Sequence, residues 1–214
     1  LRAHLRARSA GDGDAEGDPE ALAAVVRSLD AMAAGGIQDH VGGGFARYAT
    51  DRSWLVPHFE KMLADKALIA RTYLRAWQAT GHARFLHTAE ATIDYVLDRL
   101  AHPAGGWFTA EDADSDDGEG RYYLWTPDEL RAVLGPDAEE AMAWWGVGPE
   151  PTFEGAWILN RLHGDPSEPE PATITVARAL LRTARDDRTR PGLDDNVLCE
   201  WNALFLATLA EAAA

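Results

Sequence analysis

The stretch "RSWLVPHFEKMLADKALIARTYL", residues 52–74, constrains the fold more than any other. Phe59, Met62, Leu63, Ala67, Ala70, Tyr73, Leu74 and Trp77 recur at helical spacing, and Leu68 and Ile69 add apolar surface outside that stripe. A helix with more than one apolar face packs on more than one neighbour. Gly81 ends it, and a second helix follows at once, with Leu86, Ala89, Ile93, Val96, Leu97 and Leu100 on one face and charges opposite. The chain therefore places a nearly buried helix beside an amphipathic one in a tight hairpin. Alternation of this kind is what a double ring of helices requires, whereas a four-helix bundle makes no such division.

Further periodic segments extend the pattern. Pro19 opens a helix with Leu22, Val25, Val26, Leu29 and Met32 inward, which Gly35 and Gly36 close. Pro57 fits the first helical position of the buried helix. Thr126-Pro127-Asp128-Glu129 is a capping box, and its helix ends at Gly135-Pro136. Helices are predicted over 137–146 and 172–187, and a last one capped by Asp194 or Asp195, with Val197, Leu198, Trp201, Leu204, Phe205 and Leu209 inward. Residues 105–125 differ, because "GGWFTA" and "GRYYLW" are β-prone and flank an acidic turn, which predicts a β-hairpin between helices. The expected class is all-α: a helical toroid, or part of one, with a single β excursion.

Twenty basic against 35 acidic residues give a formal charge of -15. That balance argues against nucleic acid and against anionic membranes as partners. No apolar run reaches membrane-spanning length, and no signal segment opens the chain, so a cytoplasmic protein is expected. Cys199 is the only cysteine, which excludes an internal disulfide and a thiolate metal cluster. Residues 1–19, with the Gly/Asp-rich "SAGDGDAEGD", read as a flexible segment ahead of a domain over 20–214. The chain opens at Leu1 and closes in "LAEAAA" without a stop signal, which predicts a piece of a longer polypeptide.

Four constellations carry chemistry. "GGIQDHVGGGFARYATDRSW", 35–54, packs glycines, Asp39, His40, Arg47, Tyr48 and Asp51 into one loop that matches no dinucleotide fingerprint. On a helix, His58, Lys61 and Asp65 would share a face beside Glu60 at the positively polarised N-terminus, which suits an anionic or hydroxyl-rich ligand and favours a neutral imidazole base. The plain alternative is an ordinary helix start. In "EDADSDDGEG", Asp112, Asp114 and Asp116 alternate like calcium ligands. However, Asp117 stands where such a loop needs Gly and Tyr123 where it needs Glu, so no metal is expected. That tip is either solvated or points one or two carboxylates into a pocket. Finally, Trp54, Trp107, Trp125, Trp157 and Trp201 lie beside polar candidates and present stacking faces for a sugar ring, or else fill space between helices.

Together "GGIQDHVGGGFARY", "DRSWLVPHFEKMLADKALIARTYL", "DADSDDGEGRYYLWTPDEL" and "RPGLDDNVLCEWNALFLATLAEA" resemble successive motifs of one family. It is the YyaL-type thioredoxin-domain-containing proteins, related to spermatogenesis-associated thioredoxin-like proteins. The resemblance implies a thioredoxin-like domain, absent from these residues, followed by an (α/α)6 toroid. That toroid resembles six-hairpin glycosidases and N-acylglucosamine 2-epimerases, and 20–214 would be its N-terminal half. It implies a sugar-like small molecule as ligand, the parent chain's thioredoxin-like domain as partner, and no cofactor. Carried over by motif, His58, Asp112, Asp114 and Glu60 become candidate catalytic residues, with His58 as base and Asp112 or Asp114 as its carboxyl partner. His40, Arg47, Lys61, Asp65, Glu119, Trp54, Trp107, Trp201 and Asn202 become candidate substrate-binding residues, Arg47 as a clamp. The Asp194-Asp195 pair also falls in a family motif. Two positions depart from the pattern: Lys66 stands where Asn is usual, and Asn196 where Lys is usual. A scaffold or binding module serving the thioredoxin-like domain is the alternative function.

Overall fold

A computed structural model describes residues 18–115 and 118–214. Seven α-helices run through these residues: α1 Pro19–Ala34, α2 Leu63–Thr80, α3 Ala83–Arg99, α4 Pro127–Leu134, α5 Ala138–Trp144, α6 Ala172–Asp186 and α7 Cys199–Ala212. Between them lie seven two-residue strands: β1 Tyr48–Ala49, β2 Pro57–His58, β3 Lys61–Met62, β4 Ala110–Glu111, β5 Asp114–Ser115, β6 Gly118–Glu119 and β7 Leu193–Asp194. The protein is helix-rich, with small antiparallel sheets ordered β1-β2, β3-β4-β7 and β5-β6. The flexible segment expected ahead of the domain falls almost wholly outside the described residues.

Helix α2 is the axis. It packs on α3 along one side and on α7 along another, burying Leu63, Lys66, Ala67, Ala70, Tyr73, Leu74, Ala76 and Ala79. Four of these are alanines, which let neighbouring helices approach closely. Gly81, at φ 72°, ends α2 in the left-handed conformation that turns the chain into α3. Tyr73 donates to the Leu29 carbonyl at 2.7 Å, tying α1 to α2. A second core gathers Trp125, Trp145, Leu130, Leu134, Ile174 and Leu181 between α4, α5 and α6. The Thr126–Glu129 capping box forms as its sequence predicts.

Several expected boundaries are corrected. Pro57 does not open a helix: residues 57–62 run extended ahead of α2, and Pro57, Phe59, Lys61 and Leu63 are buried while His58, Glu60 and Met62 are half-buried. Apolar residues at 59, 62 and 63 fit a helix, while 57, 59 and 63 fit the alternation of a strand, and tertiary pairing selects the strand: Lys61 and Met62 pair with Glu111 and Ala110. Similarly, Asp194 lies in β7, paired with Ala110, so α7 begins at Cys199 and is not capped by Asp194 or Asp195. Val197 and Leu198, expected inward, are exposed, as are Leu68 and Leu97. The fourth-to-fifth helix junction tightens into a 3-10 turn over Gly135–Asp137, leaving α5 shorter than predicted.

The sheet β3-β4-β7 fixes one end of the α2 layer. β3 leads directly into α2, and β7 lies just ahead of α7, so the polar residues of 57–62 gather where those helices begin.

Candidate active site

Two polar clusters meet on the 57–66 segment and share almost nothing in environment. The first is buried. Asp39, in the glycine loop, accepts at Oδ1 from the Val41 and Gly42 N–H groups at 3.0 and 2.9 Å and from Arg185 Nη1 at 2.9 Å. Its Oδ2 accepts from Lys61 Nζ at 2.8 Å, and Lys61 also donates to the Gly43 carbonyl at 3.0 Å. The Lys61 ammonium lies over the Tyr95 and Tyr123 rings, 4.3 and 4.7 Å from their centroids. Gly42 is required here, since a Cβ would sit 2.0 Å from Arg185 Nη2. Gly44, at φ 74°, lies flat against Tyr95, leaving 2.9 Å between a hypothetical Cβ and the ring. Tyr95 donates to Glu111 Oε2, and Lys66 donates to the Phe45 carbonyl.

Burial governs the protonation of this cluster. Burial would raise the Asp39 carboxyl, but Arg185 and Lys61 together hold it well below the usual range. Burial pushes Lys61 down, opposed by Asp39. Lys66, fully enclosed, falls to about 7, burial leading and the Lys61 charge adding to it. Burial also lowers His40 to about 4, so it is neutral and donates Nε2–H to the Gly35 carbonyl at 2.9 Å.

The second cluster is half-exposed. His58 Nδ1 lies 2.8 Å from Glu119 Oε1, and its Nε2 lies 3.6 Å from Glu60 Oε2. Glu60 Oε2 also accepts from Arg47 Nη1 at 2.9 Å. The Tyr48 ring stacks on the imidazole at 5.0 Å, because β1 and β2 pair Tyr48 directly with His58. Glu119 reaches the site from the β5-β6 hairpin and accepts from the Phe59 N–H at 3.4 Å. An ionised Glu119 selects the Nδ1–H tautomer and leaves Nε2 with its lone pair, the arrangement a base needs. Beside it, Asp65 in the first turn of α2 has a buried Oδ2 without a hydrogen-bond partner. Burial raises its pKa, offset by the Lys66 and Arg47 charges.

Of the candidate residues, the structure brings His58, Glu60, Arg47 and Glu119 into direct contact. Lys61 belongs instead to the buried cluster, so it shares no helical face with His58 and Asp65. The carboxyl beside His58 is that of Glu119, not Asp112 or Asp114. Asp112 is exposed and accepts from its own loop, from the Ala113 N–H at 2.6 Å, and Asp114 is exposed opposite Glu119 in the hairpin. Asn202 is used by the backbone: it accepts from the Trp107 N–H at 2.8 Å and donates to the Trp107 carbonyl at 3.0 Å. Trp107 packs edge-on against Phe205 at 4.7 Å, and Trp201 joins the same core. Trp54, at φ 64°, packs partly buried against the core that holds Leu29, Phe45 and Tyr73. Among the described residues no group of three or more His, Cys, Asp or Glu side chains is placed to hold a metal ion; Asp116 and Asp117 lie outside them.

Asp39 as an anchor and Arg185 as its partner were missed. Arg185 carries a legible signal, because it continues the buried stripe Ile174, Ala177, Leu181 of α6 where an exposed residue would break it. Lys66 carries the same signal in α2.

No described helix is long and apolar enough to cross a membrane, and no family model matches the chain. Relatives do. Spermatogenesis-associated protein 20 of Mus musculus is 34% identical over 220 residues, covering 86% of this chain, and that of Rattus norvegicus is 35% identical over 222 residues, covering 87%. An uncharacterized protein of Caenorhabditis elegans is 27% identical over 95% of the chain. The chain spans about 28% of the length of the rodent proteins. Across most of its length, then, this chain is a homologue of one segment of spermatogenesis-associated protein 20.

Proposed function

We propose that the chain forms part of an α/α toroid domain that binds a sugar-like small molecule and moves a proton on it, with His58 as the base. The observation that carries this reading is the His58 imidazole held at Nδ1 by Glu119, 2.8 Å away, with Nε2 turned toward the Glu60–Arg47 pair. In this reading a polyol or hydroxy-carbonyl ligand displaces the long Glu60 contact, Arg47 holds its oxygen, and Nε2 takes a proton from carbon or hydroxyl. The same groups serve isomerisation or epimerisation more directly than hydrolysis, because both carboxylates face one imidazole. In the whole protein this domain works beside a thioredoxin-like domain, in the cytoplasm, with no nucleic acid or membrane partner.

The test is solvent exchange. Aldoses, ketoses and their phosphates are incubated with the full-length protein in deuterium oxide and followed by proton NMR. Loss of a ligand C–H signal that slows ~100-fold or more in His58→Gln is the expected result. No exchange with any of them overturns the reading.

A second reading, a binding module without catalysis, draws on the exposed Leu193, Val197, Leu198 and Leu206 around the start of α7. It predicts ligand-independent association with the thioredoxin-like domain, lost when Val197 and Leu198 become Ser.

A further inference from the structure

A cleft of about 680 Å³, lined by His40 but by none of the His58-cluster residues, lies between α1, α3, α6 and the irregular segment after α5. Its volume is that of a small-molecule site. Arginines from three elements line it: Arg84 of α3, Arg161 of the irregular segment and Arg178 of α6, with His87 at the rim. Arg84 is committed within the helical frame, bidentate to Asp30 of α1 at 2.7 and 3.0 Å.

Arg161 and Arg178 are held differently. The Arg161 guanidinium lies flat on Trp144, 3.3 Å from a ring centroid, and donates to Glu168 Oε2 at 2.8 Å. Arg178 donates to Glu170, while its Nε is buried without a partner. Both carboxylates come from one short stretch, "DPSEPEP", 165–171, which has no helix or strand and is bent by a turn in which Ser167 bonds Asp165 at 2.8 Å. Stacking fixes the planar fork of Arg161, the geometry in which guanidinium takes a carboxylate or phosphate. The acids opposite both arginines ride on this irregular segment, Glu170 also accepting from Thr175 Oγ1 at 2.9 Å.

We propose that this cleft is a binding site for a small dianion, either a dicarboxylate or a phosphate ester, and that Glu168 and Glu170 are its built-in occupants. The ligand bridges Arg161 and Arg178 and displaces the two glutamates, and the buried Arg178 Nε gains the partner it lacks. The segment 165–171 thereby sets the affinity, competing with the ligand for the same donors. This site is independent of His58.

Calorimetry at low ionic strength, with succinate in one arm and inorganic phosphate in the other, tests the proposal. The double variant Glu168→Gln, Glu170→Gln is expected to bind one of these anions ~10-fold or more tightly than the unaltered protein. Adding Arg178→Gln, on a partly exposed side chain, is expected to abolish that binding while urea unfolding stays unchanged. Preference for succinate assigns a dicarboxylate, and preference for phosphate assigns a phosphate ester. Equal affinity in the unaltered and double-variant proteins, or binding that survives Arg178→Gln, overturns the proposal.

Discussion

The Asp39–Lys61–Arg185 cluster and the His58–Glu119–Glu60–Arg47 cluster meet on neighbouring residues of one extended segment, 57–62, yet they are opposites. In the first, each charge is almost fully enclosed and Asp39 has both oxygens filled. In the second, the partners stay between about a quarter and half exposed, and one contact, Nε2 to Glu60, is long. The alternation of a strand makes this division, since Lys61 points inward and His58 and Glu60 outward. The difference separates charges enclosed within the fold from charges left open to solvent.

Breaking the buried side has the largest expected effect. Asp39→Ala leaves Lys61 and Arg185 without their counter-charge and is expected to cost about 3–5 kcal/mol in urea unfolding. That loss should be reproduced by acid in the unaltered protein. The Asp39 pKa is depressed in the folded state, so its stabilisation is present above the unfolded carboxyl value and disappears as pH falls through the folded one.

Next comes Lys66. The unfolded chain keeps this proton to about 10.5, whereas the folded protein releases it near 7, so between those values the unfolded state binds more protons. Stability therefore rises with pH across that window, by at most about 1.4 kcal/mol per unit, and Lys66→Met flattens the rise. His40 gives the same sign lower on the scale: stability falls as pH drops from 6.5 toward 4, and His40→Gln removes that part of the slope.

Smaller effects sharpen the contrast. Thr126→Ala, which removes an N-cap belonging to neither cluster, sets a yardstick of about 1 kcal/mol. His58→Gln is expected to stay below about 1 kcal/mol in the same assay, because partly exposed ion pairs contribute little. A His58→Gln loss as large as that of Asp39→Ala would erase the distinction between the two regions.

The helical elements were largely legible. Apolar stripes place α1, α3 and the body of α2 within a few residues, since a 3.6-residue period over many residues has one reading, but α2 starts at Leu63 rather than at Pro57. The strands were not. Two-residue strands carry no periodicity of their own, and Pro57 with Phe59, Met62 and Leu63 reads as a helix start, because the alternation is carried by 57, 59 and 63 with a lysine at the remaining buried position, 61. His58, Glu60, Arg47 and Glu119 were all named from motifs, but the partnership of His58 with Glu119, 61 positions away, was not. Asp39–Arg185 spans 146 positions and is just as invisible locally.

By itself, then, the sequence determined where most of the helices lie, that Gly81 ends one and the Thr126–Glu129 box begins another, and that 57–66 sets polar residues at the head of an apolar helix. The tertiary structure alone decided which charges are buried and which are free. That decision depends on β4 pairing with β3 to extend residues 57–62, and on α6 delivering Arg185. Contacts between distant segments fix the face each side chain presents, and burial then sets its charge.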